Sequence, residues 1–326
     1  MSALTPVGAE EHSLLAAARA GDERAFEALV AGHQRALHVH CYRMLGSYDD
    51  AEEATQETLL SAWRGLATYE QRAPLQHWLY RIATNTCLKL RTRRKRQPIS
   101  LIDVGYVQPY PDRLLDELGT SETDPAATAE TRESVALAFI AALQCLRPTP
   151  RAVLILRDVL AWSAAEVADL LDTSVAAVNS ALLRAREGVR RATPNTVASR
   201  LSDPRDYDVV NRFLSAWERR DIGALAALLA QDVVLRMPPE QIELYGHRPV
   251  ASFFATVPGG GQLERFHLLI IRANGCPAVA AYLPDDAGRH VPFGLMVLML
   301  AGGSIVTITG FPDPALFATF GLPESL

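Results

Sequence analysis

After Pro74, four polar side chains follow one another at intervals of four residues, and together they could contact a nucleic acid. They are His77, Arg81, Asn85 and Lys89. Side chains at this spacing share one face of a helix. Basic groups bind phosphates without sequence preference, and Asn and Arg can read base edges. The pattern therefore predicts an exposed helix face that binds nucleic acid.

Charge is segregated around this face, although the whole chain has a net charge of -5. Lys89–Arg96 holds six basic residues and no acid, whereas Asp49–Glu57 holds five acids and no base. Blocks of one sign indicate surfaces for partners of the opposite sign. A solvated helix face remains the alternative for either block. The acidic block suits docking to a basic, helical partner.

Aromatic residues lie between the two blocks. Trp63 and Trp78 flank the Gly65–Ala73 segment, which contains Tyr69. Aromatic rings of this kind can receive an unstacked base. The alternative is that both tryptophans belong to the core, and for Trp78 we prefer that interpretation.

Two helices must position these residues. Ser47 followed by Asp50 resembles a capping box, so one helix begins near Tyr48. Pro74 is well placed at the first turn of the next helix. Positions at helical spacing predict the buried stripe of the first helix, and these are Ala51, Ala54, Thr58, Leu59, Ala62 and Trp63.

A second helical module occupies residues 131–192. Thr149-Pro150 predicts one helix start, and a capping box from Ser163 to Glu166 predicts another. Asp172-Thr173 makes a tight turn, after which Ser174 caps a helix expected to bury Val175, Val178, Leu182 and Val189. This is a helix-turn-helix pattern, whose second helix enters a major groove by its N-terminal end.

The order GSYDDAEEATQETLLSAWRGL, then APLQHWLYRIATNTCLKLRTRRKR, resembles region 2 of the extracytoplasmic-function (ECF) group of sigma factors. The helix-turn-helix pattern is similar to sigma region 4. The resemblance implies a protein that binds RNA polymerase core and directs promoter-specific transcription initiation. Two departures from the family's usual pattern are Asp172 in place of a turn glycine, and Asn179 and Ala181 at positions that are often basic.

The resemblance also implies roles for individual residues. The acidic face would dock on the clamp helices of the largest polymerase subunit through Asp49, Asp50, Glu52, Glu53, Gln56 and Glu57. The -10 element would be melted and read by Trp63, Tyr69, His77, Trp78, Arg81, Asn85, Lys89, Arg91 and Arg93. Region 4 would contact the polymerase flap and read the -35 element through Ser174, Ala176, Ala177, Asn179, Ser180, Arg184 and Arg186.

Composition divides the chain into five segments: region 2 at 12–96, a linker at 97–130, region 4 at 131–192, a second linker at 193–205 and a C-terminal domain at 206–326. The first linker is rich in proline and has no period. In sigma factors the equivalent connection threads through polymerase channels, so it needs little folded structure. Disorder in the free protein is compatible with that interpretation.

The C-terminal segment has an amphipathic helical stretch, a strand ending at Pro238-Pro239, a short helix at Gly246–Thr256, and then strand-like runs. This order resembles the SnoaL-like branch of the nuclear-transport-factor-2-like superfamily, a cone-shaped α+β fold with a pocket. The expected fold class is therefore multi-domain, with two all-α sigma modules, a region 2 helical bundle and a region 4 helix-turn-helix, plus an α+β SnoaL-like cone domain.

A catalytic pair in this domain is not evident from the sequence. The polar candidates are Asp232, Glu243, Tyr245, His247, His267, Arg272 and Tyr282, and for Asp232 a structural role is favoured. His247 and His267 are lone histidines, and neither has a second metal-ligating residue at ligand spacing. We expect no cofactor, no metal and no catalytic residues. The domain would be a built-in regulator that contacts the other modules or responds to a small-molecule ligand.

The sequence also bears on compartment and on rival functions. The sequence contains no run of 18 apolar residues, so it predicts no membrane-spanning helix. The N-terminus lacks the pattern of a secretory signal. We therefore expect a cytoplasmic protein without membrane contact. Four scattered cysteines predict neither a disulfide framework nor a zinc site. One rival is a bifunctional protein with a catalytic or ligand-sensing C-terminal domain. The other is a repressor without polymerase, against which the acidic face argues.

Overall fold

The computed structural model describes residues 6–71, 73–94, 107–116, 134–192, 204–240 and 242–326. The chain divides into two compact units. The first comprises Met1–Ile99 and Ala141–Ala192, and the second comprises Ser100–Ile140 and Thr193–Leu326. Each unit is therefore built from two separated stretches of sequence.

The first unit is helical. Its helices are α1 (Pro6–Arg19), α2 (Glu23–Leu45), α3 (Tyr48–Gly65), α4 (Leu75–Arg94), the end of α6 (Leu137–Gln144), α7 (Pro148–Leu154), α8 (Ala164–Leu170) and α9 (Val175–Ala192). A π-helical turn at Ile155–Val159 continues α7.

Local capping explains where these helices begin. The Ser47 hydroxyl accepts a hydrogen bond from the Asp50 amide at 3.2 Å, and α3 starts at Tyr48 as predicted. A full capping box forms between Ser163 and Glu166 at the start of α8. The expected start of α7 is wrong by two residues, because Pro148 already occupies its first turn and Arg147 precedes it.

The helix-turn-helix is present in α8 and α9. Asp172 adopts the left-handed conformation at the turn, with φ 49°, which a short polar side chain tolerates. The Ser174 hydroxyl accepts from the Ala177 amide at 3.1 Å. Val178 and Leu182 are buried as expected, but Val175 is 44% exposed. That expectation was wrong because Val175 is the first residue of α9 and lies beyond the edge of the packed stripe.

The second unit combines helices and strands. They are α5 (Asp112–Asp116), the start of α6, α10 (Pro204–Glu218), α11 (Ile222–Leu228), β1 (Leu229–Arg236), β2 (Glu243–Tyr245), α12 (His247–Thr256), β3 (His267–Ala273), β4 (Cys276–Pro284), β5 (His290–Ala301), β6 (Ser304–Phe311) and α13 (Leu316–Phe320).

The six strands form one sheet in the order β2-β1-β6-β5-β4-β3. All neighbours are antiparallel except β1 and β6, which are parallel. The helices α10, α11 and α12 supply apolar side chains to one core with this sheet, including Phe213, Trp217 and Phe254. An all-α part followed by an α+β part agrees with the fold class expected from the sequence.

Candidate functional site

The acidic face of α3 is a solvent-exposed stripe. Asp49, Glu52, Glu53, Gln56 and Glu57 are exposed, and Asp50 is half-buried. Leu60 continues the stripe at helical spacing and is 49% exposed. An apolar side chain at the end of an acidic stripe suits a protein partner. The sequence pattern missed Leu60, although its spacing from Glu53 and Glu57 was a signal.

Two buried histidines in α2 lie near this stripe and near α4. The His38 ring is 3.4 Å from a Glu52 carboxylate oxygen, and burial lowers its pKa to about 4. His40 contacts the Thr84 hydroxyl at 2.9 Å, and burial lowers its pKa to about 3. Both rings are therefore neutral at pH 7 and add no positive charge beside the stripe.

The predicted DNA-binding face of α4 contacts the helix-turn-helix within the first unit. His77 stacks on Trp162, with ring centroids 4.2 Å apart, and lies 3.6 Å from the Glu166 carboxylate. Arg81 pairs with Asp169 at 3.1 Å and also donates to the Asp169 carbonyl. Two side chains of the predicted -10 surface thus contact the predicted -35 module; His77 is half-buried there, while Arg81 stays exposed.

The remaining predicted DNA-binding positions of α4 differ in their surroundings. Asn85 is half-buried, whereas Lys89 is exposed. Arg91 donates a hydrogen bond to the Gln144 side chain at 2.9 Å. Arg93 lies in α4, but its side chain is outside the described residues. The face that the sequence predicted is therefore only partly open to solvent.

The predicted aromatic group separates into two pairs. Trp63 packs edge-on against Phe26, with centroids 5.1 Å apart. Tyr69 stacks on Trp78 at 5.0 Å, and the Tyr69 hydroxyl donates to the Ala73 carbonyl at 2.7 Å. The Tyr69 ring is thus held by Trp78 and Ala73, and Trp78 is half-buried.

The recognition helix α9 presents small side chains at its start. Ala176, Ala177, Asn179 and Ser180 are exposed, as is Ser174, whose hydroxyl caps the helix. Leu183, which follows on the same side, is 72% exposed. Small exposed residues permit close approach of the helix to base edges.

Two arginines extend this surface, and both have protein partners. Arg184 donates to the Ser180 hydroxyl at 2.8 Å. Arg186 makes a two-pronged pair with Asp158 at 2.8 and 2.7 Å. These hydrogen bonds raise the pKa of Arg186. They also orient its guanidinium while offsetting part of its charge.

The first linker is partly folded onto the C-terminal domain, within the second unit. Eight of residues 107–116 are buried, and Pro111 forms an isolated antiparallel bridge with Ala273 at the end of β3. The disorder that the sequence allowed for the free protein does not hold for residues 107–116. The apolar and aromatic side chains of Val107, Tyr110, Leu114 and Leu115 explain why it packs against protein.

The β3–β4 turn holds this segment through specific polar contacts. The buried Asn274 side chain accepts from the Tyr110 amide at 2.7 Å and donates to the Val135 carbonyl at 2.7 Å. Asp112 is 1% exposed; it accepts from the Gly275 amide at 2.8 Å and pairs with Arg272 at 3.3 Å. Sequence reasoning missed Asn274, because an Asn-Gly turn predicts a hairpin and says nothing about a bound segment.

A cavity of about 200 Å³ lies in the second unit between the sheet and the helices. Its walls are mainly apolar, and six aromatic side chains contribute: Trp217, Phe253, Phe254, Phe266, Phe293 and Phe311. Among the described residues lining it, Glu240 is the one charged side chain.

The polar candidates from the sequence do not meet in this cavity. None of Asp232, Glu243, Tyr245, His247, His267, Arg272 and Tyr282 is among the described lining residues. Asp232 is exposed on β1. The Tyr282 hydroxyl donates to the Pro323 carbonyl at 3.0 Å, and Arg272 pairs with Asp112. The polar side chains considered for acid–base chemistry therefore lie outside the described lining of the pocket.

Three family models match successive parts of the chain. Residues 29–97 match Sigma-70 region 2, residues 136–187 match Sigma-70 region 4, and residues 210–308 match the SnoaL-like domain. ECF RNA polymerase sigma factor SigG of Mycobacterium tuberculosis is 40% identical over 328 residues, covering 94% of this chain and 86% of the relative.

The chain is an ECF sigma factor. As a member of this family, it binds RNA polymerase core and promoter DNA and directs promoter-specific transcription initiation. Sigma factors are non-catalytic initiation subunits of RNA polymerase. It carries a SnoaL-like C-terminal domain. No helix in the described part of the sigma factor is long and apolar enough to cross a membrane.

ECF RNA polymerase sigma factor SigJ of M. tuberculosis is a further relative. It is 31% identical over 254 residues, which covers 77% of this sigma factor and 73% of SigJ. The crystal structure of SigJ aligns with a TM-score of 0.61 at 23% identity, covering 91% of this chain and 99% of that one. This structural likeness shows a shared fold.

Proposed function

We propose that this sigma factor recognises promoters through the two helical surfaces described above. The face of α4 and the Gly65–Ala73 segment would melt and read the -10 element, and the start of α9 would read the -35 element. The observation that carries the proposal is an exposed acidic stripe on α3 together with the basic, Asn-bearing face of α4 in one module. The proposal also keeps the five segments expected from composition, which are 12–96, 97–130, 131–192, 193–205 and 206–326.

The acidic stripe would dock on the clamp helices of the largest polymerase subunit. Its exposed carboxylates and the exposed Leu60 support a contact with a basic, helical protein surface. Region 4 would contact the polymerase flap. Binding to polymerase and DNA places the protein in the cytoplasm.

The polymerase contact can be tested by charge reversal. Glu53→Lys with Glu57→Lys should weaken binding to core polymerase at least tenfold, because two attractive charges at the contact become repulsive. Glu27→Lys with Glu23→Lys, on exposed positions of α2, makes the same charge change away from the stripe. Equal losses in both double variants, measured by titration of labelled core polymerase, would refute the assigned surface.

We further propose that the C-terminal domain regulates initiation by holding the linker. Eight of residues 107–116 are buried, and β3 and the β3–β4 turn bind the segment through Arg272, Asn274 and Gly275. A linker held in this way is unavailable to thread through polymerase channels. Docking of the linker and binding of core polymerase would then compete, which gives the domain control over initiation.

Run-off transcription from genomic templates tests both parts of the proposal. Core polymerase with the full chain should give promoter-specific transcripts that core polymerase alone does not. Removal of residues 206–326 should change promoter use or polymerase affinity. Unchanged promoter use and unchanged affinity would contradict the regulatory role, while an absence of specific transcripts would contradict the promoter-recognition surfaces.

A further inference from the structure

The outward face of α9 carries an amide, a hydroxyl and apolar side chains. Side chains three and four residues apart share one face of a helix, and the exposed residues at this spacing are Ala176, Asn179, Ser180 and Leu183. The buried side chains of α9, which include Val178 and Leu182, lie on the opposite side. Residues 174–183 contain no Lys or Arg. The part of the helix that would enter a major groove therefore brings no cation to the base edges before Arg184.

This composition distinguishes between base pairs. Guanine is read most often by a bidentate Arg or Lys, but Arg184 donates to the Ser180 hydroxyl and Arg186 donates to both oxygens of Asp158. A hydroxyl such as that of Ser180 serves several bases and selects none of them strongly. The exposed Asn179 amide has a donor and an acceptor side by side. That pair matches the N7 acceptor and the N6 donor of adenine.

Leu183 adds an apolar contact on the same face. It is 72% exposed and lies one helical turn after Asn179. Removing an aliphatic side chain from water against another apolar group is favourable, and the C5 methyl of thymine is an apolar group that base pairs present in the major groove. Four residues of helix rise about 6 Å, which corresponds to about two base-pair steps of DNA. The two side chains therefore fall over neighbouring base pairs.

We propose that α9 reads A·T pairs in the -35 element. The Asn179 amide contacts N6 and N7 of an adenine, and Leu183 packs on the C5 methyl of a thymine within about two base pairs of that adenine. The inference rests on the proposed reading of the -35 element by α9 and deepens it by naming the bases. Asn179 and Leu183 are then the residues that set sequence preference, since phosphate contacts by arginines carry no sequence information.

Base analogues that each remove one group test the proposal on holoenzyme assembled from core polymerase and the full chain. The duplex carries a promoter found by run-off transcription, and each adenine and thymine of its -35 element is replaced in turn. 7-Deazaadenine removes the N7 acceptor, and uracil removes the thymine methyl. In fluorescence titrations we expect the affinity to fall about fivefold at one adenine, for one lost hydrogen bond. At one thymine it should fall about threefold, for one lost methyl contact.

Three variants assign these effects to side chains. Asn179→Ala should bind the adenine and 7-deazaadenine promoters equally while keeping the uracil effect, and Leu183→Ala should show the reverse. Asn179→Arg should move the preference at that base pair from adenine to guanine, which accepts a bidentate arginine. Asn211→Ala, at an exposed position of α10, should keep both analogue effects. Asn179 and Leu183 are exposed, so folding should be preserved, which the thermal transition of each variant checks.

Several outcomes would overturn the proposal. They are no adenine that responds to loss of N7, an analogue effect that survives in the variant meant to remove it, or an adenine preference that persists in Asn179→Arg. Scrambling the whole -35 element separates the two levels of the argument. If scrambling leaves the affinity of holoenzyme unchanged, the proposed reading of that element fails together with this inference. If scrambling weakens binding but the analogue effects are absent, the assignment of bases alone fails.

Discussion

At the scale of single residues, partners set what each charged group can do. Arg186 points along the recognition helix but is paired with Asp158 through two hydrogen bonds. His38 and His40 differ from Arg186 in their charge, because burial keeps both rings uncharged. Neither property is visible in the sequence, since Asp158 is 28 residues from Arg186 and burial depends on packing.

Releasing Arg186 should strengthen DNA binding. Asp158→Asn removes the competing carboxylate, so we expect two- to fivefold tighter binding of promoter duplex by holoenzyme, of the order of the ~0.2–1 kcal/mol typical of an exposed ion pair. The salt dependence should steepen by roughly one released counterion. Asp286→Asn makes the same charge change on the C-terminal domain and should have no effect. No difference between the two variants in fluorescence titrations would contradict a phosphate contact by Arg186.

Acid should destabilise the first unit through the two buried histidines. Their folded-state pKa values of about 4 and about 3 lie below the ordinary value of 6.5. The unfolded state therefore binds more protons between pH 6.5 and 4, and stability falls as pH falls through that window. Each ring should cost about 2 kcal/mol at pH 5 relative to pH 8.

The histidine prediction is checked by following the ring resonances during a pH titration. His40→Gln identifies its resonance and should reduce the acid-induced loss of the free energy of unfolding by about half. A His40 ring that titrates near pH 6.5 in the folded protein would contradict the role assigned to burial.

At the scale of elements, α4 contacts the helix-turn-helix, and this contact bears on promoter binding. Arg81 and His77 contact Asp169, Glu166 and Trp162 within the first unit. Residues proposed to read the -10 element must leave these partners before they bind DNA. Under the proposed reading of the -10 element, the contact between α4 and α8 would oppose promoter recognition by the free sigma factor.

Weakening that contact should favour DNA. Asp169→Ala should tighten binding of a single-stranded -10 oligonucleotide by up to about fivefold, because an exposed ion pair is worth at most about 1 kcal/mol. In an Arg81→Ala background the same change should have no effect, which a double-mutant cycle measures directly. An equal gain in both backgrounds would show that Asp169 acts by general repulsion of DNA.

The elements themselves were largely predictable from the sequence, and their contacts were not. Ser47, Pro74, Ser163 and Ser174 mark helix starts because capping is local chemistry. Trp162 and Asn274 gave no such signal. Their roles arise from contacts with residues far along the chain, His77 and Tyr110, and composition cannot report such pairings.

At the scale of the whole molecule, the linker joins promoter recognition to the C-terminal domain. Its buried stretch supplies apolar side chains, so removing the domain exposes Tyr110, Leu114 and Leu115 as well as freeing the linker. Point variants at the contact are therefore cleaner than a deletion. Asn274→Gly suits this purpose, because glycine tolerates the left-handed backbone at φ 55° while losing the buried amide.

Control of initiation by linker docking is tested most directly by the affinity of core polymerase for the full chain carrying Asp112→Ala and Asn274→Gly. These changes remove two hydrogen bonds and one ion pair from residues 107–116. They also remove the hydrogen bond from Asn274 to the Val135 carbonyl, and each hydrogen bond is worth about 1 kcal/mol. We predict that the Kd for core polymerase falls at least about tenfold, while Asp286→Ala leaves it unchanged. An unchanged or higher Kd, with residues 107–116 shown by hydrogen exchange to be released, would contradict control of initiation by linker docking.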